Sequence, residues 1–441
     1  MPLESNMARK ASIAAPRDDG AAEQDAAEQE AAAAVAAAGR AARAAAGQLR
    51  RMPADGLDET LRAIAARLGE RAAEVAAANA RDVQAAKAEG LASAFVDRLT
   101  LDAGRIGAMA DQLRALAEVG AEQDRVRIRD LNDGLELQEW RRPVGVIGAN
   151  FEARPNVVVD VASQLIKSRN AGVLRTGSSA IGSAAVLIDE VVGPAMASTG
   201  LDPAAVQLLR SPGRQTAFAL VREPALIPLV ILRGSGESTR ALAREAALHG
   251  VRTLAHADGG AVLYLDSSAD RALALRLIEA SLDRLGVCNR LNLLLVHQGV
   301  WDVMVPSVTE LAQRLGVAVS LPPHQHPLGL EWALEAGFEA TITVASAAGP
   351  GDAAAIANTE TSGLAGAIVA EDAAAAGEFL DTYAGTGAFW NASPRLLDGF
   401  KLLSLPETGI NIDAVPGPRG PVTFRDLYLR QYAVIPRRPA V

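Results

Sequence analysis

The chain has 441 residues, 49% of them hydrophobic and 22% charged, with a net charge of −9 at pH 7, a globular composition long enough for two or three domains around a large core. An acidic balance without a basic stripe between aromatics excludes a nucleic-acid binder, because phosphate contacts need clustered Lys and Arg. No apolar run approaches the roughly 20 residues of a membrane span, no apolar signal-peptide core opens the chain, and one cysteine forms no internal disulfide, which points to a reducing, cytoplasmic compartment.

Residues 1–30 are rich in Ala, Glu and Asp without strand or turn signals and are expected to be a disordered extension. Asp18, Asp19, Glu23 and Asp25 make it too acidic for a cleaved targeting peptide. Over residues 31–124, Leu49, Leu61, Ile64 and Leu68 recur at helical spacing in an Ala-rich background. The pattern then switches. Val126 and Ile128 alternate with charges, Asp133-Gly134 supplies a turn, and Leu135 and Leu137 alternate again, which predicts a β-hairpin over 125–142.

From Pro143 short apolar runs alternate with helical segments. Strands are expected at Val144–Gly148, Gly172–Arg175, Val206–Leu209 and Leu229–Leu232, with a helix over Asn156–Arg169. Repeated strand–helix units of this length predict a parallel, doubly wound α/β domain, placed at 143–257. A second series follows over 258–400. Its expected elements are strands near Val262–Leu265, Leu291–Val296, Val317–Leu321, Ala340–Val344 and Ala367–Val369, with a helix over Asp270–Arg284. A cleft between the two domains is expected near His256.

Two glycine-rich turns, Arg175-Thr176-Gly177-Ser178-Ser179 and Arg233-Gly234-Ser235-Gly236, each follow a predicted strand and open a helix. Such turns present backbone N–H groups to phosphate oxygens, and open α/β sheets bind ligands beyond the carboxyl ends of their strands. Arg175, Gly177, Ser178, Arg233, Gly234 and Ser235 are therefore the candidate cofactor-binding residues. No Walker GxxxxGK is present, so ATP hydrolysis is not suggested.

Cys288, in Leu285-Gly286-Val287-Cys288-Asn289-Arg290, is the candidate nucleophile. Gly286 permits close backbone approach, Arg290 favours a thiolate, and the Cys288 N–H with the Asn289 amide would stabilise an oxyanion. His324 and His326 lie between prolines without a nearby Cys or carboxylate, so a loop is expected there and no metal site.

Several stretches together resemble the γ-glutamyl phosphate reductase (glutamate-5-semialdehyde dehydrogenase) family, of the aldehyde dehydrogenase superfamily. They are Pro143-Val144-Gly145-Val146-Ile147-Gly148, Glu152-Ala153-Arg154-Pro155-Asn156-Val157, Asp97-Arg98-Leu99, Cys288-Asn289, Asn391-Ala392-Ser393-Pro394-Arg395 and Glu407-Thr408-Gly409. The resemblance runs in order from about Ala36 to the C-terminus. It implies an NADPH-dependent reduction of glutamyl 5-phosphate to glutamate 5-semialdehyde and phosphate, a step of proline biosynthesis, through a thioester on Cys288. NAD is the alternative cofactor, no metal is implied, and glutamate 5-kinase is a functional partner. By the same resemblance Glu407 holds the nicotinamide ribose, and Arg154, Asn156, Asn289 and Arg395 contact substrate or phosphate. Residues 401–422 return to the cofactor domain, and 125–142 joins 423–441 in a small element through which the chain forms a homo-oligomer. Elution as a monomer by light scattering would remove that last expectation.

The chain departs from the family pattern at Arg284-Leu285-Gly286, Asn292, Ala261-Val262, Gly363-Leu364-Ala365-Gly366 and Lys401–Pro406. These changes leave two other readings: a dehydrogenase or reductase acting on another acyl phosphate or aldehyde, and a non-catalytic homologue. Oxidising aldehyde dehydrogenases hydrolyse their thioester with a Glu. The matching stretch here, His256-Ala257-Asp258-Gly259-Gly260, has none, so a thioester would last long enough to be reduced, unless His256 or Asp258 replaces that base.

Overall fold

The computed structural model describes residues 19–234, 236–256, 259–414 and 417–437. Its first sheet holds β1 (Val146–Phe151), β2 (Ala171–Thr176), β3 (Val206–Leu208), β4 (Leu229–Arg233) and β5 (Arg252–His256). They are parallel throughout, in the order β3-β2-β1-β4-β5, the doubly wound arrangement with its ligand crevice at the carboxyl edge. β1 and β2 are buried at every residue, as parallel strands covered on both faces must be.

One core joins this sheet to the N-terminal helices and to Leu405, Val422, Phe424 and Leu427 of the returning chain. Asn170 fastens these parts together: its Oδ1 accepts from Gly145 N at 2.8 Å and its Nδ2 donates to Leu427 O at 3.0 Å.

Residues 19–30 are not the disordered segment expected from sequence. They begin the helix Asp19–Arg51, because Ala and Glu are strong helix formers even where nothing buries them. Burial starts at Ala31. Residues 1–18 lie outside the described residues.

The helical run Ser178–Ser198 is 21 residues long with mean hydropathy 1.5 and half buried, and Asp189 and Glu190 interrupt its apolar sequence. Leu187, Val191 and Ala195 pack into the first core, which accounts for its apolar face.

The second sheet comprises β6 (Ala261–Leu265), β7 (Leu291–His297), β8 (Ala318–Ser320), β9 (Thr341–Ala347), β10 (Ala365–Val369) and β11 (Gly387–Trp390), all parallel, in the order β8-β9-β7-β6-β10-β11. Apolar clusters cover both of its faces.

A third, antiparallel sheet pairs strand Arg125–Asp130 with Leu135–Pro143 and the latter with Tyr428–Pro436. Asp133 and Gly134 turn the hairpin with φ of 60° and 71°, the left-handed pair that a two-residue hairpin demands. Its outer residues Val126, Ile128, Leu429, Tyr432 and Val434 are exposed.

Candidate active site

β5 leaves the first sheet at His256 and β6 enters the second at Ala261, so the carboxyl edge of one sheet faces the amino edge of the other. Three connected cavities lie along this junction. An outer groove of about 510 Å³ follows the ends of β2 and β4 and is lined by Arg175, Gly177, Ser178, Arg214, Phe218 and Ser238. Through Phe95 and Glu152 it meets an inner cavity of about 320 Å³. That cavity shares Arg98, Arg154, Arg233, Val287 and Cys288 with a lateral cavity of about 350 Å³. Cys288 thus stands at the seam of the two inner spaces.

The cysteine loop follows the helix Arg271–Ser281, capped by Asp270, and precedes β7. Glycine is required on both sides of it. A Cβ on Gly286 would lie 2.6 Å from Asp97 Oδ2, and one on Gly259 would lie 2.8 Å from Cys288 O. Gly260 N donates to Cys288 O at 2.7 Å, while Glu331 Oε2 accepts from Gly259 N at 2.8 Å. Two strand ends and the 321–340 loop therefore set the position of one thiol.

The electrostatics around that thiol are uneven. Asp97 pairs with Arg105 at 2.6 Å and with Arg284 at 2.9 Å, fixing two lateral cations. Arg98, Arg154 and Arg233 make no ion pair or side-chain hydrogen bond among the described residues, although all three line both inner cavities. Burial, then repulsion by Arg233, brings Arg154 down to about 10. Burial also pushes the Cys288 thiol up, while Arg154 pulls it down and Glu407 pushes it further up.

Two carboxyls are held protonated more than usual, chiefly by burial: Asp160 rises to about 6 and Glu407 to about 7. Glu407 ionises as pH passes 7, and its charge then opposes the neighbouring thiolate. Glu407→Gln is expected to move the alkaline inflection of Cys288 alkylation by iodoacetamide downward, and an unmoved inflection would remove that coupling. His256 is 6% exposed and is kept well below its ordinary range by burial first and then by Arg233 and Arg154. Its Nδ1 accepts from Ile410 N at 3.1 Å, which leaves Nε2 as the N–H.

The sequence-derived candidates meet this geometry unevenly. Asn289 is not the oxyanion donor expected of it. Its Nδ2 donates to Leu397 O at 2.9 Å and Arg395 O at 3.4 Å, and its Oδ1 accepts from Arg395 Nη1, so the amide anchors the loop. Arg395 lines the lateral cavity but is tied to Asp283 at 2.7 Å as well as to Asn289. Asn156 holds Asp160 Oδ2 at 2.8 Å beside the same space.

Arg290 is buried at 3% exposure, and its Nη1 donates to Glu339 O and Thr341 O; it lines neither inner cavity. Arg175 reaches the outer groove, yet its guanidinium donates to Asn150 Oδ1, Pro212 O and Gly213 O. Gly177 and Ser178 line that groove, and Gly234 the inner cavity. Arg233 reaches Cys288 rather than the outer groove, and Glu407 faces the lateral cavity, where its Oε2 accepts from Gly399 N at 2.9 Å. Ser235 and Asp258 lie outside the described residues. Arg98, Glu331 and Asp160 were missed as site residues. Asp97-Arg98-Leu99 stood out only as a stretch resembling the family, and nothing local reveals that packing against Gly286 carries Arg98 to the thiol.

The aldehyde dehydrogenase family profile matches residues 7–326. A γ-glutamyl phosphate reductase of Thermobifida fusca is 33% identical over 406 residues, 89% of this chain and 95% of its own. The chain belongs to the γ-glutamyl phosphate reductase branch of the aldehyde dehydrogenase family. Another γ-glutamyl phosphate reductase, of Clavibacter michiganensis, is 35% identical over 86% of this chain and 88% of its own. The solved γ-glutamyl phosphate reductase of Thermotoga maritima superposes with TM-score 0.81 at 25% identity, covering 91% of this chain and 98% of its own. An acetylating aldehyde dehydrogenase of Geobacillus thermoglucosidasius shares the fold, with TM-score 0.71 at 16% identity over 94% of this chain and 99% of its own.

The departures from the γ-glutamyl phosphate reductase pattern have structural places. Asn292 donates to Leu330 O at 2.8 Å and accepts from Trp332 N at 3.1 Å, so it holds the loop carrying Glu331. Lys401 and Pro406 line the lateral cavity, where Lys401 adds a cation. Ala261 and Val262 are buried strand residues. Among the described residues no group of three His, Cys, Asp or Glu side chains could hold a metal.

Proposed function

We propose that the chain is an NADPH-dependent γ-glutamyl phosphate reductase, converting glutamyl 5-phosphate to glutamate 5-semialdehyde and phosphate through a thioester on Cys288. The observation that carries this reading is the set of guanidiniums, Arg98, Arg154 and Arg233, that surround the chain's only cysteine without an ion pair among the described residues. An acyl phosphate brings two or more negative charges beside its electrophilic carbon. Unpaired guanidiniums in a buried site both bind such a group and stabilise the phosphate as it leaves. An aldehyde without a charged leaving group would gain nothing from this cluster.

In the proposed sequence the Cys288 thiolate attacks the acyl carbon, the bond from that carbon to the phosphate oxygen breaks, and phosphate departs with the electron pair. Arg154 and Arg233 neutralise the departing charge and favour the thiolate that is regenerated at the end. A nicotinamide cofactor held along Gly177, Ser178 and Arg214 would supply the hydride for the thioester carbon, and cleavage of the C–S bond would then release the aldehyde and return the thiolate to Cys288. His256 is no base for water, since its Nδ1 lone pair is engaged by Ile410 N. That removes one route to hydrolysis and supports reduction.

The outer groove fits a dinucleotide. It runs along the carboxyl edge of the first sheet, a Cβ on Gly177 would meet nothing within 4 Å, and the space continues to Cys288. Dinucleotide folds selective for NAD place an Asp or Glu against the ribose 2′-hydroxyl near the end of the second strand. Here β2 is followed by Gly177-Ser178-Ser179, with Arg214 across the groove, which supports NADPH over NAD. Gly177, Ser178, Gly234 and Ser235 are assigned to the cofactor, and Arg154 and Asn156 to the substrate, with Arg395 as a supporting residue. We place the enzyme in the cytoplasm, supplied by glutamate 5-kinase, as a homo-oligomer joined through the exposed apolar rows of the third sheet.

The test runs the reaction backwards: glutamate 5-semialdehyde and NADP⁺, with and without phosphate. NADPH formation that requires phosphate is expected, because only phosphate can release the thioester as an acyl phosphate. Equal rates without phosphate would make the protein a hydrolysing dehydrogenase, and no turnover in either case would sink the reading.

A further inference from the structure

The Asn289 amide, the side chain whose place in the sequence best suits it to hold an oxyanion, is bound on both its nitrogen and its oxygen by the 395–397 segment. A carbonyl attacked by Cys288 still needs donors, since charge develops on its oxygen as the thiolate adds. His256 meets that need. It ends β5 as the strand partner of Arg233, lines the inner cavity with Cys288, and is bound at Nδ1 by Ile410 N. That bond fixes the tautomer, so Nε2 carries the proton, and no described protein group accepts it. At the entry to β6, Gly260 N donates to Cys288 O at 2.7 Å, which fixes the cysteine loop beside the same cavity.

We propose that His256 is a neutral hydrogen-bond donor for the acyl oxygen at Cys288, giving its Nε2–H alongside the Cys288 backbone N–H. Burial first, and then the flanking guanidiniums of Arg233 and Arg154, keep the ring uncharged, so it donates without adding a further cation beside the thiolate. The ring transfers no proton. It stabilises the oxyanion formed when the thiolate adds to the carbonyl and again when hydride adds to the thioester. The inference rests on the reading of Cys288 as the acylated nucleophile, and it does not depend on which acyl phosphate is the natural substrate.

Two reagents separate this role from a structural one. Acylation of Cys288 by p-nitrophenyl acetate passes through an oxyanion, whereas alkylation by iodoacetamide does not, and both need the same thiolate. His256→Asn keeps an acceptor near the Nδ1 position for Ile410 N and loses the Nε2–H, while His256→Gln restores an N–H at the longer reach. For His256→Asn the acylation rate is expected to fall about 10²-fold, the usual effect of losing one such donor, with alkylation and melting temperature unchanged; His256→Gln is expected to recover part of it. Acylation and alkylation slowing together, or acylation as fast as in the parent protein, would overturn the proposal. So would a parent protein whose Cys288 shows no acylation advantage over a free thiol. Failure of the phosphate-dependent assay with an intact acylation difference would sink only the substrate.

Discussion

Cys288→Ser is expected to abolish NADPH-dependent reduction of glutamyl 5-phosphate, a loss on the order of 10⁴-fold or more, as for other enzymes stripped of their nucleophile. The chain has no other cysteine, so no second thiol can form the thioester. A serine hydroxyl in the same place would need a base, and His256 cannot serve, because its Nδ1 is occupied by Ile410 N. A thiol needs less help, because burial, which pushes it up, is opposed by Arg154 and Arg233. Serine is smaller and still polar, and the loop is held through backbone contacts to Gly260, so the melting temperature should barely change. Mass spectrometry of the parent protein mixed with acyl phosphate and no cofactor should show an acyl adduct on Cys288, absent from the variant. Activity of Cys288→Ser within tenfold of the parent would refute covalent catalysis at this residue.

The elements legible in the sequence were those whose physics is local. β1, β2 and β7 are buried on both faces and so appear as unbroken apolar runs. Asp133-Gly134 announces its own turn. β5 was not legible: Arg252 is exposed and Thr253 and Leu254 are half-buried, because this strand closes one edge of its sheet. β11, one of the two edge strands of the other sheet, was also missed, because only its first residue is buried. Residues 23–30 of the helix Asp19–Arg51 were misread as disorder because they are exposed, and helix propensity without a buried face leaves no periodic mark.

The site divides along the same line. Cys288 and the Glu152–Asn156 stretch stand out because motif and uniqueness are visible in one dimension. Whether an amide or a guanidinium is free is decided by residues far away in the chain. Asn289 is bound by groups about a hundred residues later, and Arg395 is neutralised by Asp283. Arg98 and Arg233 become important because neither forms an ion pair or side-chain hydrogen bond among the described residues, and that has no local signature.

Arg154→Met is expected to lower kcat/KM with glutamyl 5-phosphate by about 10²- to 10³-fold, in line with the removal of one preorganised charge from a largely buried site. Arg154→Lys should recover only part, since an ammonium cannot present the paired donors of a guanidinium to phosphate. The loss has two sources: the departing phosphate forfeits a partner, and the Cys288 thiol, which Arg154 pulls down, rises and leaves less thiolate. Stability should move the other way. Arg154 is a half-buried cation repelled by Arg233 and Arg98, so its removal ends a repulsion that no ion pair relieves among the described residues, and methionine retains much of its apolar stem. The melting temperature of Arg154→Met should therefore equal or exceed that of the parent. Added phosphate should raise the parent's melting temperature by binding the native state and do little for the variant. A variant that loses activity and melting temperature together, while still responding to phosphate, would show that Arg154 supports the loop and that the anion is held elsewhere.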